Sequence, residues 1–242
     1  MTSSTGPTEH LVATRVHGRV LVATPRPPGA PLLVGCHGYG ENAERHLEVL
    51  DIIPGVSPWL RCAVDALHPF YNRRTGEVVG SWMTRRLRTH AMGDNTAYVC
   101  AAVAELRRCY QPAPTLVLVG FSQGVAMAYR AAAALAPAVS GLVVLAGDVP
   151  PDVAAASEQT FRGTVPRILL GRGTEDDWYT QEKMQEDLAK LATLGAEVET
   201  CVFPGGHTWS PPFLAPAGVF LGRIAQAPGL ASGSGSSVLA QS

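Results

Sequence analysis

The chain has 242 residues, 46% of them apolar and 16% charged, with a formal net charge of −1 at pH 7. This length suits one domain with a substantial core, and the near-neutral balance gives no footing for a nucleic-acid or membrane-surface partner. The five cysteines (Cys36, Cys62, Cys100, Cys109, Cys201) are scattered, odd in number and free of any C-x-x-C pair, which reads as reduced thiols of a cytoplasmic protein. The first residues lack a basic region followed by an apolar core, so no signal peptide is expected, and no apolar run approaches the ~18 residues of a membrane span.

In chain order, residues 1–8 read as a flexible start. Leu11 to Val16 and Arg19 to Thr24, separated by His17-Gly18, predict an antiparallel hairpin. Pro31 to Cys36 predicts a strand that ends in His37-Gly38-Tyr39-Gly40. Asn42 is placed to cap a helix running to about Ile53, with Leu47, Leu50 and Ile53 near helical spacing. Leu60 to Leu67 predicts another strand. From Pro69 to His90 the pattern is irregular and arginine-rich, and Asp94 opens a helix to about Tyr110.

Further strands are predicted over Thr115 to Val119, Gly141 to Ala146, Val165 to Leu170 and Glu197 to Phe203. The intervening helices run from Val125 to Ala136 and from Thr180, as a cap, to Leu194, where Gly195 is the stop. Phe213 to Ala225 is the closing helix. The alternation of strand and helix argues for an α/β fold, a single domain over 9–226 with a mainly parallel central sheet flanked by helices. Residues 70–92 form a pocket-covering excursion and 227–242 a flexible Gly/Ser/Ala-rich tail.

The most informative segment is Gly120-Phe121-Ser122-Gln123-Gly124, between an apolar strand and an alanine-rich helix. A sharp strand-to-helix turn of this kind strains the serine backbone and lifts its hydroxyl clear of the sheet edge. A serine hydroxyl needs a base to accept its proton and an acid to orient that base, here expected in the order nucleophile, acid, base. His207, in Pro204-Gly205-Gly206-His207-Thr208-Trp209, follows the last strand at the sheet edge where ligands bind, and is the base candidate. Its bland reading is a solvated loop histidine. His10, His17 and His46 read as peripheral, His68 and His90 flank the excursion, and His37 reads as structural.

For the acid, Gly171-Arg172-Gly173-Thr174-Glu175-Asp176-Asp177 offers three consecutive carboxylates, of which Asp176 is preferred. Asp148, also at the end of an apolar run, is a competitor whose ordinary role would be lining the pocket or capping a turn. An acyl-transfer site further needs N–H donors for the tetrahedral oxyanion: the backbone of Gln123, just after the nucleophile, and that of Tyr39 in the glycine turn.

The set His37-Gly38-Tyr39-Gly40, Gly120-Phe121-Ser122-Gln123-Gly124, Gly173-x-x-Asp176 and Gly206-His207 resembles the phospholipase/carboxylesterase family of α/β-hydrolases, which includes acyl-protein thioesterases. The resemblance covers about Pro31 to Ala225. It implies an α/β-hydrolase fold, a Ser122–Asp176–His207 triad, donors at Tyr39 and Gln123, ester or thioester substrates, and no cofactor or metal. Trp82 is expected to wall the substrate pocket, as family members tend to carry a tryptophan there, with Asp148 and Trp209 nearby. Two features depart from the family: Asp177-Trp178-Tyr179 after the acid, and the charge at Asp148. Arg73, Arg74, Arg85, Arg86 and Arg88 form a basic cluster, read first as a solvated face and otherwise as an attractor of anionic substrates. Small hydrolases of this kind often self-associate, which leaves a homodimer open. A non-catalytic binding protein on the same fold and an acyltransferase or pathway thioesterase are the alternatives.

Overall fold

The computed structural model describes residues 7–24, 28–155, 161 and 164–227. The apolar runs of the sequence form its interior. Strands β2 (Leu32–Cys36), β3 (Leu60–Val64), β6 (Leu116–Phe121) and β7 (Gly141–Leu145) are buried at every position, as expected of parallel strands covered on both faces. With β1 (Val20–Val22), β8 (Arg167–Gly173) and β9 (Val198–Phe203) they make a seven-stranded sheet in the order β1-β3-β2-β6-β7-β8-β9. Only β1 is antiparallel to its neighbour.

Helices pack on this sheet: α1 (Ala43–Asp51) on β1 to β3, α3 (Gln123–Leu135) on β2, β6 and β7, and α6 (Pro211–Gln226) on β8 and β9. Helix α2 (Arg88–Tyr110) packs on α3. The short α4 (Pro151–Ala154) follows β7, and α5 (Gln181–Thr193) joins β8 to β9. Asn42 and Thr180 cap α1 and α5 as predicted, accepting the Arg45 and Lys183 N–H groups. Among the described residues no helix is long and apolar enough to cross a membrane.

Four expectations are corrected. The opening hairpin does not form: Leu11, Val12 and Val16 stay exposed, and only Val20–Val22 is a strand, paired with Cys62–Val64. The buried β3 offers that segment a covered face that a two-stranded ribbon could not. The excursion, read as irregular, contains a two-stranded sheet of β4 (His68–Tyr71) and β5 (Val78–Ser81). Its turn is built by Asn72, whose side chain accepts the Arg74 and Thr75 N–H groups, and by Gly76 at φ +73°. Helix α2 starts at Arg88 rather than Asp94. Its cap position, Leu87, has a left-handed backbone and no side-chain cap bond, so no cap residue announces it.

The fourth correction concerns His46, read as peripheral. The buried positions of α1 are Ala43, His46 and Leu50; of the anticipated Leu47, Leu50 and Ile53, the last two are buried and Leu47 is half-buried. The His46 imidazole is 1% exposed, lies over Gly35 in β2, and has a hydrogen-bond partner on neither nitrogen. Burial pushes its pKa down to about 3. Of the predicted flexible ends, residues 1–6 and 228–242 lie outside the described residues; Pro7 and Thr8 are exposed.

Candidate active site

Ser122 sits between β6 and α3 with φ +51° and ψ −118°, a strained backbone for a residue bearing a Cβ. The flanking glycines permit the turn. A Cβ on Gly120 would fall 2.7 Å from Val125 Cα, and one on Gly124 would fall 2.1 Å from the Cys36 carbonyl oxygen. Only hydrogen fits at either position, so the turn presses directly on the end of β2.

His207 arrives on the loop after β9. Its Nε2 is 2.8 Å from Ser122 Oγ and its Nδ1 is 2.9 Å from Asp176 Oδ2. A carboxylate only accepts hydrogen bonds, so Nδ1 carries the proton and Nε2 is left to accept from the serine hydroxyl. The Asp176 side chain is fully buried, and its Oδ1 accepts the backbone N–H groups of Trp178 and Tyr179 at 2.8 and 2.9 Å. Both carboxylate oxygens are therefore occupied and their orientation is fixed. The Phe121 ring lies 5.1 Å from the imidazole, centroid to centroid, and walls one side of it.

Of the carboxylates considered for the acid, Asp176 is the one in reach of His207. Glu175 and Asp177 are exposed, and Asp148 is an exposed partner of Lys183 at 3.5 Å. Trp82 does not wall a pocket, contrary to expectation. It is 0% exposed, and its indole N–H donates to the His37 carbonyl at 2.8 Å, so it braces the scaffold under the site. Trp209 is half-buried, packed at a tilt against Phe121 and Phe213 and edge-on to His46. Trp178 is exposed. His37 is structural as read: buried, with Nε2 accepting the Ala66 N–H.

Gly38 to Glu41 form a turn closed by the Glu41 N–H on the Gly38 carbonyl at 3.2 Å, with Gly40 at φ +72°. The Tyr39 side chain is exposed and stacks on Phe70, so any role at the nucleophile falls to its backbone. The Gln123 N–H belongs to the first turn of α3, where a helix supplies no acceptor. Two contributions escaped sequence reading. The Gln123 side chain accepts the Trp82 N–H at 2.8 Å and donates to the Met83 carbonyl at 3.0 Å. Glu41 carries a half-buried carboxylate; burial pushes its pKa up, and the bond it accepts from the Gly38 N–H opposes that rise. Glu41 directly follows the glycine turn, but nothing in its neighbours signals an inward-facing carboxylate.

Arg73, Arg74, Arg85, Arg86 and Arg88 are all exposed, with no carboxylate within 4.0 Å among the described residues. A concavity of about 540 Å³ is lined by Arg19, Asn42, Asp65, Pro69 and Val78 among others, and not by Ser122, Asp176 or His207. No group of three or more His, Cys, Asp or Glu side chains is arranged to hold a metal among the described residues.

The sequence profile of the phospholipase/carboxylesterase family matches residues 89–223, a stretch that holds Ser122, Asp176 and His207. The chain belongs to that family. It is an α/β-hydrolase of the esterase and thioesterase type. The match begins after the glycine turn, so it is shorter than the resemblance read from Pro31 onward. Among solved structures, this α/β-hydrolase is similar to esterase PE8, at 25% identity and TM-score 0.68 over 87% of this chain and 100% of that one. Two more distant structures share the fold. They are the Bacillus cereus carboxylesterase (17% identity, TM-score 0.66, 86% and 94% covered) and Zea mays acyl-protein thioesterase 2 (20%, 0.62, 86% and 100%). No curated protein matches the chain in sequence.

Proposed function

We propose that this protein is a serine hydrolase that cleaves carboxylic esters or thioesters of small to medium acyl groups through an acyl-enzyme. Ser122 is the nucleophile. His207 Nε2 takes its proton as the oxygen attacks the carbonyl carbon, and the imidazolium that forms returns the proton to the leaving alcohol or thiol. Asp176 holds the Nδ1–H tautomer and stabilises the imidazolium. Water then attacks the acyl-enzyme, with His207 as base again, and the acid departs from a regenerated serine. The Tyr39 and Gln123 N–H groups carry the negative charge of each tetrahedral intermediate.

The observation that carries this reading is the unbroken line of contacts from Ser122 Oγ through the His207 ring to Asp176, at 2.8 and 2.9 Å. Its support from kinship is the esterase and thioesterase character of the family. A cytoplasmic setting is part of the proposal, resting on scattered cysteines with no C-x-x-C pair.

The test is Ser122→Ala assayed on a short-chain aryl ester, with fluorophosphonate labelling of the wild type. Turnover should fall by about 10⁵-fold or more, and the label should sit on Ser122. Retained turnover in the purified variant, or a label elsewhere, rejects the assignment.

A further inference from the structure

Glu41 grips the glycine turn from two sides. Its Oε2 accepts the Gly38 N–H at 2.7 Å, and its own N–H donates to the Gly38 carbonyl at 3.2 Å. The far side of the turn is tied to β5: the Gly80 N–H donates to the Glu41 carbonyl at 2.7 Å, and the Gly40 N–H donates to the Gly80 carbonyl at 2.9 Å. The carboxylate is wedged close to the nucleophile's neighbour, since a Cβ on Gly38 would meet Glu41 Oε2 at 3.1 Å and the Phe121 ring at 2.9 Å.

The consequence falls on the peptide between Gly38 and Tyr39. A trans peptide is planar, with its C=O and N–H pointing in opposite directions. The Gly38 carbonyl accepts both the His37 Nδ1–H at 2.7 Å and the Glu41 N–H at 3.2 Å, and this pair of tethers aims the Tyr39 N–H away from them. Binding the Gly38 N–H through the carboxylate fixes the preceding peptide, so the Gly38 unit has little freedom to rotate. The residue after Tyr39 is held by Gly80. Ser81, Trp82 and Met83, next along the same strand and its exit, hold the Gln123 side chain.

We propose that Glu41 is a positioning residue, which acts through the main chain of the Gly38–Glu41 turn to hold the Tyr39 N–H on the developing oxyanion. The inference rests on the serine-hydrolase reading above. Glu41 touches neither substrate nor nucleophile; its carboxylate serves as a hydrogen-bond acceptor, and its charge is secondary.

Three variants test this: Glu41→Ala, Glu41→Gln and Glu41→Asp, each with its melting temperature recorded. The readouts are kcat and KM on an aryl ester, and affinity for a trifluoromethyl ketone that forms a tetrahedral oxyanion adduct with the serine. Misaligning one donor should lower kcat of Glu41→Ala about 10- to 100-fold with KM little changed, and weaken ketone binding by the same factor. Glu41→Gln keeps an acceptor oxygen at the same reach and should recover to within about fivefold of wild type. Glu41→Asp keeps the charge on a shorter arm and should remain impaired, so the matter is decided even if the alanine variant does not fold. Unchanged kcat in Glu41→Asp overturns the inference. So does a glutamine variant no better than Glu41→Asp, or a loss of kcat without loss of ketone affinity. A wild type that fluorophosphonate does not label defeats the serine reading instead, which separates the two failures.

Discussion

Gln123 and Trp82 are locked together: the side-chain oxygen of Gln123 accepts the Trp82 backbone N–H at 2.8 Å. This bond ties the residue after Ser122 to the exit of β5, the strand that also holds the glycine turn. Gln123→Met keeps the bulk and removes the bonds, leaving the Trp82 N–H unmet at a cost of about 1–3 kcal/mol. The expected result is a melting temperature lower by several degrees and kcat down about tenfold, with KM within a factor of three. Stopped-flow and steady-state assays beside thermal melts check it. Kinetics identical to wild type would show that this side chain only packs.

Asp176→Asn should leave the fold in place and nearly abolish turnover. The buried carboxylate accepts three hydrogen bonds, and an amide can keep those on Oδ1 while presenting N–H to His207 Nδ1. The imidazole would then be held in the tautomer that cannot take the serine proton. A loss of about 10⁴ in kcat is expected, as for the equivalent change in another serine hydrolase. Far-ultraviolet circular dichroism verifies the fold, and kcat near wild type would remove Asp176 from the mechanism.

Acid should weaken the fold through His46. Its pKa of about 3 in the folded protein lies below the ordinary histidine value, so the unfolded chain binds a proton that the folded chain refuses. Stability is then unaffected above pH 6.5 and lost as pH falls from there toward 3, by about 1.4 kcal/mol per unit where only the unfolded form is protonated. Urea denaturation from pH 7 to 4.5 should show a steeper decline for wild type than for His46→Leu, which cannot titrate. Equal slopes would mean that the imidazole gains a proton, or a partner, in the folded state.

Gly124→Ala should be among the most damaging single methyl additions in the chain. The new carbon would approach the carbonyl oxygens of Cys36 and His37 at 2.1 and 2.5 Å, and both are main-chain atoms at the end of a buried strand. Relief requires β2 and α3 to part, at a cost of about 3 kcal/mol or more. Soluble yield and melting temperature report this directly, and an unperturbed melting curve would mean that the two elements separate easily.

The centre of the main sheet was legible in the sequence because β2, β6 and β7 are short apolar runs with glycine or proline at or near their ends, whereas β3, β8 and β9 carry polar residues. The turn at Ser122 was legible for a related reason, since close approach there demands glycine at fixed positions. His207 and Asp176 could be anticipated as residues at strand ends, and of Glu175, Asp176 and Asp177 it is Asp176 that the fold brings to His207. What escaped was structure set by partners rather than by local preference. Val20–Val22 pairs with β3 instead of its sequence neighbour, Arg88 begins a helix without a capping side chain, and Trp82 faces the scaffold instead of a ligand. Glu41 escaped for the same cause, because its inward turn depends on a main-chain N–H that no side-chain pattern marks.

The β4–β5 ribbon stands apart from the seven-stranded sheet, yet β5 and its exit are bonded both to the glycine turn and to the Gln123 side chain. In the proposed mechanism, labour is thereby divided between a buried interior that carries the three reactive side chains and a small appendage that sets the alignment of the peptides opposite them. Drift in the appendage can alter turnover while the interior keeps its thermal robustness. Loop exchange between relatives at residues 68–83 is accordingly the natural place to look for enzymes of equal durability and different speed.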